Sequence, residues 1–414
     1  MFSFICILTM DVYNQISRLI GLPGWGTSFL LCLNVLSVAG LLLMNRRLQW
    51  QSKLPKRGLL AIKLFWLWAL ITFMHGIANS HDYWDWKILF TVYLPSVLIS
   101  LALILGVDFE YSKKVLRFIL VVLFPASFIS IPFTLTFTDE FFARLVMPVC
   151  VFVLISPYLK KKWRLLVIVV AIISIALDVS YRANVIRILI PLALFFLFYF
   201  RNFWKPKLIN FVLVGAFLLP LVLLTLGISG TFNPFSEKKI DYEVTTVLHG
   251  EEGASNIMED TRTFLYREVF HSMQNRGSSF LVGEGATAGY ETDHFLDAVL
   301  NEKGRYRSEV GFLNSLLYSG AIGVVFYALV LFLPAYYAIN QSNNRLCKML
   351  GIFLASRWLM FFVEDIAQYD MNFFFLWLTI GFCLSNKFRS LTDAEVVEFF
   401  KLKTTPAQSW LVRR

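Results

Sequence analysis

Runs of about 20 apolar residues recur along this chain, separated by short polar connections. Eleven runs are predicted as membrane-crossing helices: 27–45, 58–78, 88–107, 115–137, 141–159, 163–180, 183–200, 207–229, 309–336, 346–363 and 371–386. At about 1.5 Å per residue, a run of this length matches the ~30 Å hydrocarbon core of a bilayer. Residues 1–22 are a twelfth candidate, interrupted by the polar stretch DVYNQ. Pro95, Pro125, Pro132, Pro148, Pro191 and Pro220 fall inside runs and predict kinks, which neighbouring helices tolerate in a membrane.

Composition agrees with that pattern. Of 414 residues, 57% are hydrophobic and only 16% charged, against about 25% charged in soluble domains. The mean hydropathy is +0.64. A net charge of +10 raises the question of nucleic acid, but its placement excludes that reading. The basic residues crowd into short connections, RRLQWQSKLPKR (46–57), KKKWR (160–164), RNFWKPK (201–207) and NKFR (386–389), as they do on the cytoplasmic side of membrane proteins. The alternate connections hold NSHDYWD, TDE and EDIAQYD and are predicted to face out. With residues 1–22 as a span, both ends of the chain are cytoplasmic. The opening MFSFICILTM lacks the basic start of a cleavable signal peptide. The five cysteines lie in or beside apolar runs, so no disulfide framework is expected.

Ser229 to Ser308 is unlike the other connections. At roughly 80 residues it is far longer than an ordinary loop, and such loops are usually functional or disordered. Within it EDTRTFLYREVFHSMQ (259–274) repeats Leu265, Val269 and Met273 every four residues, which predicts a helix with one apolar stripe folded back on the membrane face. The glycines of VGEGATAGY (282–290) mark a turn and form no dinucleotide fingerprint, having neither a strand before nor a helix after. The predicted organisation is therefore an N-terminal helical unit (1–228), a large outer loop (229–308), a C-terminal helical unit (309–388) and a cytoplasmic tail (389–414).

Charge within a span costs about 2.5–3.5 kcal/mol near its centre, so charged residues there are the first candidates for chemistry. Lys63 and Arg117 lie close to cytoplasmic ends, where snorkelling accounts for them. Asp178, Arg182 and Arg187, in ALDVSYRANVIRILIPL, stand at an outer turn between two spans. Asp178 and Arg182 are spaced for an intrahelical ion pair. The surplus positive charge also suits a phosphate ligand. Arg262 and Arg267 lie on the loop helix, on a solvated face or at a site. Arg357 lies seven residues from Glu364 and is expected to pair with Glu364 or Asp365, or to face a polar cavity. Glu309, in RYRSEVGFL, has two readings: a helix-opening acid stabilised by the N-terminal dipole, or a general base at the membrane surface. The five histidines show no metal-ligand spacing, and GxSxG, P-loop, HEXXH and CxxC motifs are absent. No metal and no cofactor are expected.

These segments occur in an order that resembles the O-antigen polymerase and O-antigen ligase superfamily. SEVGFLNSLLYSGAIGVVFY resembles its helix opened by an outer polar residue, with Glu309 separated from Gly320 as the ligase histidine is from its glycine. SYRANVIRIL resembles the Ser-Arg segment that begins a span, and TRTFLYREVFHSM with LVGEGATAGY resembles the loop arginine and the later Gly-x-Gly turn. The likeness covers roughly residues 170–335. Glu309 in place of the histidine, and Tyr181 inside the Ser-Arg pair, favour the polymerase over the ligase.

The resemblance implies an all-α, GT-C-like membrane glycosyltransferase of about eleven or twelve spans in the bacterial inner membrane, with its active site facing the periplasm. Its substrate would be oligosaccharide repeat units on undecaprenyl diphosphate, joined by a metal-independent, inverting transfer. It further implies membrane lipid and a chain-length regulator as partners. Glu309 would then be the base, with Arg182, Arg262 and Arg187 on the diphosphate. Asp178, Arg267, Arg357 and Gly320 would act in support. A ligase acting on lipid A core and a lipid-linked oligosaccharide flippase are the alternatives.

Overall fold

The computed structural model describes residues 2–20, 26–47, 49–137, 140–177, 182–200, 204–228, 243–248, 251–256, 263–277, 279–292 and 304–400. Among them the regular elements are helices apart from one small hairpin. The helices are α1 (Phe2–Ile20), α2 (Gly26–Arg47), α3 (Lys56–Ala78), α4 (Tyr83–Val107), α5 (109–137), α6 (Glu140–Leu145), α7 (Val149–Tyr158), α8 (Lys161–Leu177), α9 (Arg182–Leu197) and α10 (Pro206–Ile228). Strands β1 (Glu243–Leu248) and β2 (Glu251–Asn256) pair antiparallel. Then come α11 (Thr263–Asn275), α12 (Gly311–Asn340), α13 (Arg345–Phe361), α14 (Met371–Leu384), α15 (Asn386–Ser390) and α16 (Asp393–Phe400). Among the described residues α3, α4, α10 and α12 are long and apolar enough to cross a membrane. Helix occupies most of the described part of each predicted run, but 141–159 is not one span: α6 and α7 are short and are separated by a turn at 146–148.

Residues 2–20 form one unbroken helix, despite DVYNQ. Its face carrying Phe4, Ile7 and Met10 is buried. Phe4 reaches Phe118 and Phe374, each with ring centroids 5.8 Å apart.

Two of the prolines follow widened turns, Pro148 ends the break between α6 and α7, and Pro191 and Pro220 lie inside continuous helices. A π-turn at Leu89–Tyr93 precedes Pro95, and another at Ile119–Leu123 precedes Pro125. A proline removes one amide and pushes on the preceding turn, and widening that turn accommodates both effects.

The core is made by α12, α13 and α14 with α3 and the second half of α4. There Gly106 and Gly381 let two backbones touch: a Cβ on either would lie 2.9 Å from the other's Cα. Small residues are what allow such close helix contacts without a hydrophobic driving force between spans.

The two ends of the bundle differ. One carries the lysine-rich turns. There Tyr158 donates to Asp393 at 2.7 Å, Asp393 accepts from the Arg345 amide at 2.9 Å, and Phe399 packs on Phe109. Residues 386–400 are thereby folded onto the bundle. The other end holds the connections 79–82, 279–292, 304–310 and 362–370.

Candidate functional site

At that second end α12 is broken inside its span. Gly320 has φ 64° and ψ −172°, a conformation that only glycine adopts at low cost, and it lies about 13 Å along the helix from Gly311. Segment 280–285 threads across the gap and takes up the freed groups. Ala321 and Ile322 donate to the carbonyls of Phe280 and Leu281 (2.8 and 3.2 Å), and Glu284 and Gly285 donate to those of Leu317 and Tyr318 (2.8 and 3.0 Å). The Trp68 indole donates to the Ser319 carbonyl at 2.8 Å. Non-helical backbone at this depth persists only where protein satisfies it, as here. Gly283 (φ 79°) meets the break directly, since a Cβ there would lie 2.6 Å from the Gly320 nitrogen. Gly285 (φ 94°) backs onto Gly76 and His75 of α3.

The predicted loop helix, α11, is docked on the same end. Leu265, Val269 and Met273 are all fully buried, and Tyr266 donates to the Phe362 carbonyl at 2.6 Å. Arg276 follows, held by Glu284 at 3.1 Å and by the Gly289 carbonyl at 2.7 Å.

Two neighbouring carboxylates then organise the arginines. Glu364 is paired with Arg187 from α9, and Asp365 with Arg307. Asp365 also accepts from the Asn314 amide at 2.8 Å and from the Ala367 nitrogen at 3.2 Å, so its oxygens are occupied. Burial alone would lower the Arg307 guanidinium, but Asp365 against it more than reverses the effect, and the group stays charged. Asp370 caps α14, accepting from the Phe373 amide at 2.7 Å. Burial pushes its carboxyl up to about 6, against the opposing pull of that amide and of Arg187 and Arg144.

Arg357 belongs to the same cluster but pairs with neither acid. It is 3% exposed, its guanidinium lies 4.5 Å over the Phe353 ring, and its Nε and Nη1 have no hydrogen-bond partner among the described residues. The Nε of Arg187 and the second oxygen of Glu364 are buried and unpartnered as well. Three of these four orphaned atoms are guanidinium nitrogens, donors that an added acceptor would satisfy.

Beneath Arg307 lies a hollow of about 110 Å³ between α3, α4 and the broken α12. Its walls are apolar and aromatic, including Phe65, Val92 and Phe361, and its polar cap is Arg307, Asp365 and Asn314. On the other side of the 283–289 loop is a wider bowl of about 560 Å³.

The predicted site residues are thus only partly assembled. Arg187 and Arg357 come together around Glu364. Arg182 begins α9, half-buried, and Arg267 is exposed on α11. Glu309 lies in a bend 3.6 Å from Arg305 with 48% of its side chain exposed, and α12 opens two residues later at Gly311. Asp178 and Arg262 lie outside the described residues. Neither hollow is lined by Arg182, Arg187 or Glu309. Sequence reading missed Arg307, Asn314 and Asp370. The available signal was polar residues set against apolar runs: Asn314 within one, Arg307 and Asp370 at the edges of two. Among the described residues no three His, Cys, Asp or Glu side chains converge as metal ligands would.

The fold and site define an α-helical protein with membrane-compatible helices, a loop inserted into a broken helix, and an arginine-rich cluster at one end of the bundle. No family model, no curated protein and no solved structure matches the chain.

Proposed function

We propose that this protein is a multi-pass membrane glycosyltransferase of the O-antigen polymerase class. It joins oligosaccharide repeat units carried on undecaprenyl diphosphate, at the outer face of the bacterial inner membrane. The observation that carries the reading is the gathering of Arg187, Arg307 and Arg357 around Glu364 and Asp365, beside an apolar hollow at one end of the bundle. An isoprenyl diphosphate needs this combination of apolar wall and guanidinium cap.

In the proposed reaction the acceptor sugar's hydroxyl oxygen attacks the anomeric carbon of the donor. Its proton passes to Glu309, an exposed carboxylate at the same end of the bundle, and the bond from that carbon to the diphosphate oxygen breaks with its electron pair leaving on the diphosphate. Arg187, Arg307 and the α9-opening Arg182 balance the charge that develops there. Attack opposite the leaving group inverts the anomeric centre. Asp365, saturated by its donors, positions Arg307 and Asn314 rather than exchanging protons.

The test is extension of lipid-linked repeat units by the purified protein in detergent, read as a ladder on a gel. Arg182→Ala is expected to abolish the ladder while the protein still inserts, and a normal ladder removes that arginine from the mechanism. Lipid A core supplied as acceptor separates a ligase from a polymerase.

A further inference from the structure

We infer that the bowl behind the 283–289 loop is a saccharide-binding subsite that holds a repeat unit while the first isoprene of its lipid carrier meets the neighbouring apolar hollow. The inference rests on the proposed polymerase reading and adds where the sugar goes.

The two hollows stand back to back. Ala286 lines the apolar one, while Thr287, Ala288 and Gly289, the next residues along the same loop, line the bowl. A substrate that is lipid at one end and glycan at the other therefore meets two adjoining compartments of matching polarity. At about 560 Å³ the bowl falls within the ~300–1,000 Å³ of ligand sites.

The bowl's chemistry rejects the diphosphate end. Its one arginine, Arg276, is already held by Glu284 at 3.1 Å, by Glu291 at 3.8 Å and by the Gly289 carbonyl at 2.7 Å. The Glu284 and Glu291 carboxylates beside that guanidinium compete with a phosphate for it. The rest of the lining is polar, with hydrogen-bonding groups of both kinds on His75, His81 and Ser279. An uncharged ligand rich in hydroxyl groups uses such a set fully.

The floor is also rigid. Gly283, Glu284 and Gly285 are bolted into the α12 break, the Asn79 amide donates to the Glu284 carbonyl at 3.0 Å, and Thr287 donates to the Gly76 carbonyl at 3.3 Å. Little order remains to be imposed on binding, which favours a ligand that gains little per contact.

The experiment uses the full chain in nanodiscs. The probe is the oligosaccharide repeat unit freed from its lipid by mild acid hydrolysis of the producing cells' lipid-linked pool, followed by saturation-transfer NMR. Inorganic pyrophosphate is titrated in parallel as a probe of the arginine cluster. Wild type is expected to bind the oligosaccharide. Ser279→Trp, which fills the bowl from an exposed position, is expected to weaken it tenfold or more, with pyrophosphate titration and thermal melting unchanged. Equal oligosaccharide binding by Ser279→Trp and wild type overturns the subsite. So does pyrophosphate binding without oligosaccharide binding, or retention of a basic peptide in place of the sugar. Loss of lipid-linked extension in wild type, with oligosaccharide still held in the bowl, instead removes the polymerase reading and leaves the subsite standing.

Discussion

Gly320→Ala tests whether the broken helix is a built feature of the site. At φ 64° and ψ −172° a residue with a Cβ pays about 1–3 kcal/mol in backbone strain. The added methyl would also collide with the Leu281 carbonyl and lie 2.6 Å from the Gly283 nitrogen, both backbone atoms that cannot rotate away. The chain relieves this by pushing segment 280–285 out of the gap. Four backbone hydrogen bonds are then broken. The helix recovers its share by rewinding, whereas the loop's own groups, at about 0.5–1.5 kcal/mol each, do not pair again inside the bundle. The expected destabilisation is about 3–5 kcal/mol, together with exposure of residues 280–290 to protease. Thermal unfolding in detergent and limited proteolysis of that segment read the two effects. Gly215→Ala is the control, since nothing lies within 4 Å of a Cβ there, and it should leave melting unchanged or slightly raised. Wild-type melting and protection in Gly320→Ala would refute the argument that the loop and the break support each other.

Further outcomes follow from the same geometry. Glu364→Gln leaves the Arg187 guanidinium buried without its anion and should cost about 3–5 kcal/mol in thermal unfolding; the double change Arg187→Met with Glu364→Met should regain most of it while chain extension stays lost. Asp370→Asn keeps a good helix cap but removes a carboxylate whose folded-state pKa is raised to about 6. An acid with a raised pKa weakens folding where it is ionised, so the variant should gain about 1–3 kcal/mol over wild type above pH ~6, and the gain should vanish below pH ~4, where Asp370 is protonated folded and unfolded. A pH-independent difference in melting would contradict that. Gly381→Ala forces a Cβ to 2.9 Å from the Gly106 Cα and should lower the melting temperature more than Gly215→Ala moves it. Glu309→Gln should slow chain extension about 100-fold or more, and extension at the wild-type rate would leave Glu309 as no more than a charge before the helix.

Hydropathy located the long apolar helices, because whether a segment partitions into an apolar phase depends on its own residues. The run 58–78 became Lys56–Ala78, the run 371–386 became Met371–Leu384, and the four-residue stripe of Leu265, Val269 and Met273 marked a helix whose stripe is buried. Pairing between distant residues carries no such local signal. Arg187 and Glu364 are 177 positions apart, and nothing in either segment shows that Glu364 turns to α9 while Asp365, its neighbour, turns to Arg307. The glycines of VGEGATAGY and of SGAIG were both legible as special, but only the tertiary structure shows that one set fills the break opened by the other. The reason is physical: a helix interrupted within a span stays interrupted only if another part of the chain supplies its missing hydrogen bonds, and which part does so is decided by packing.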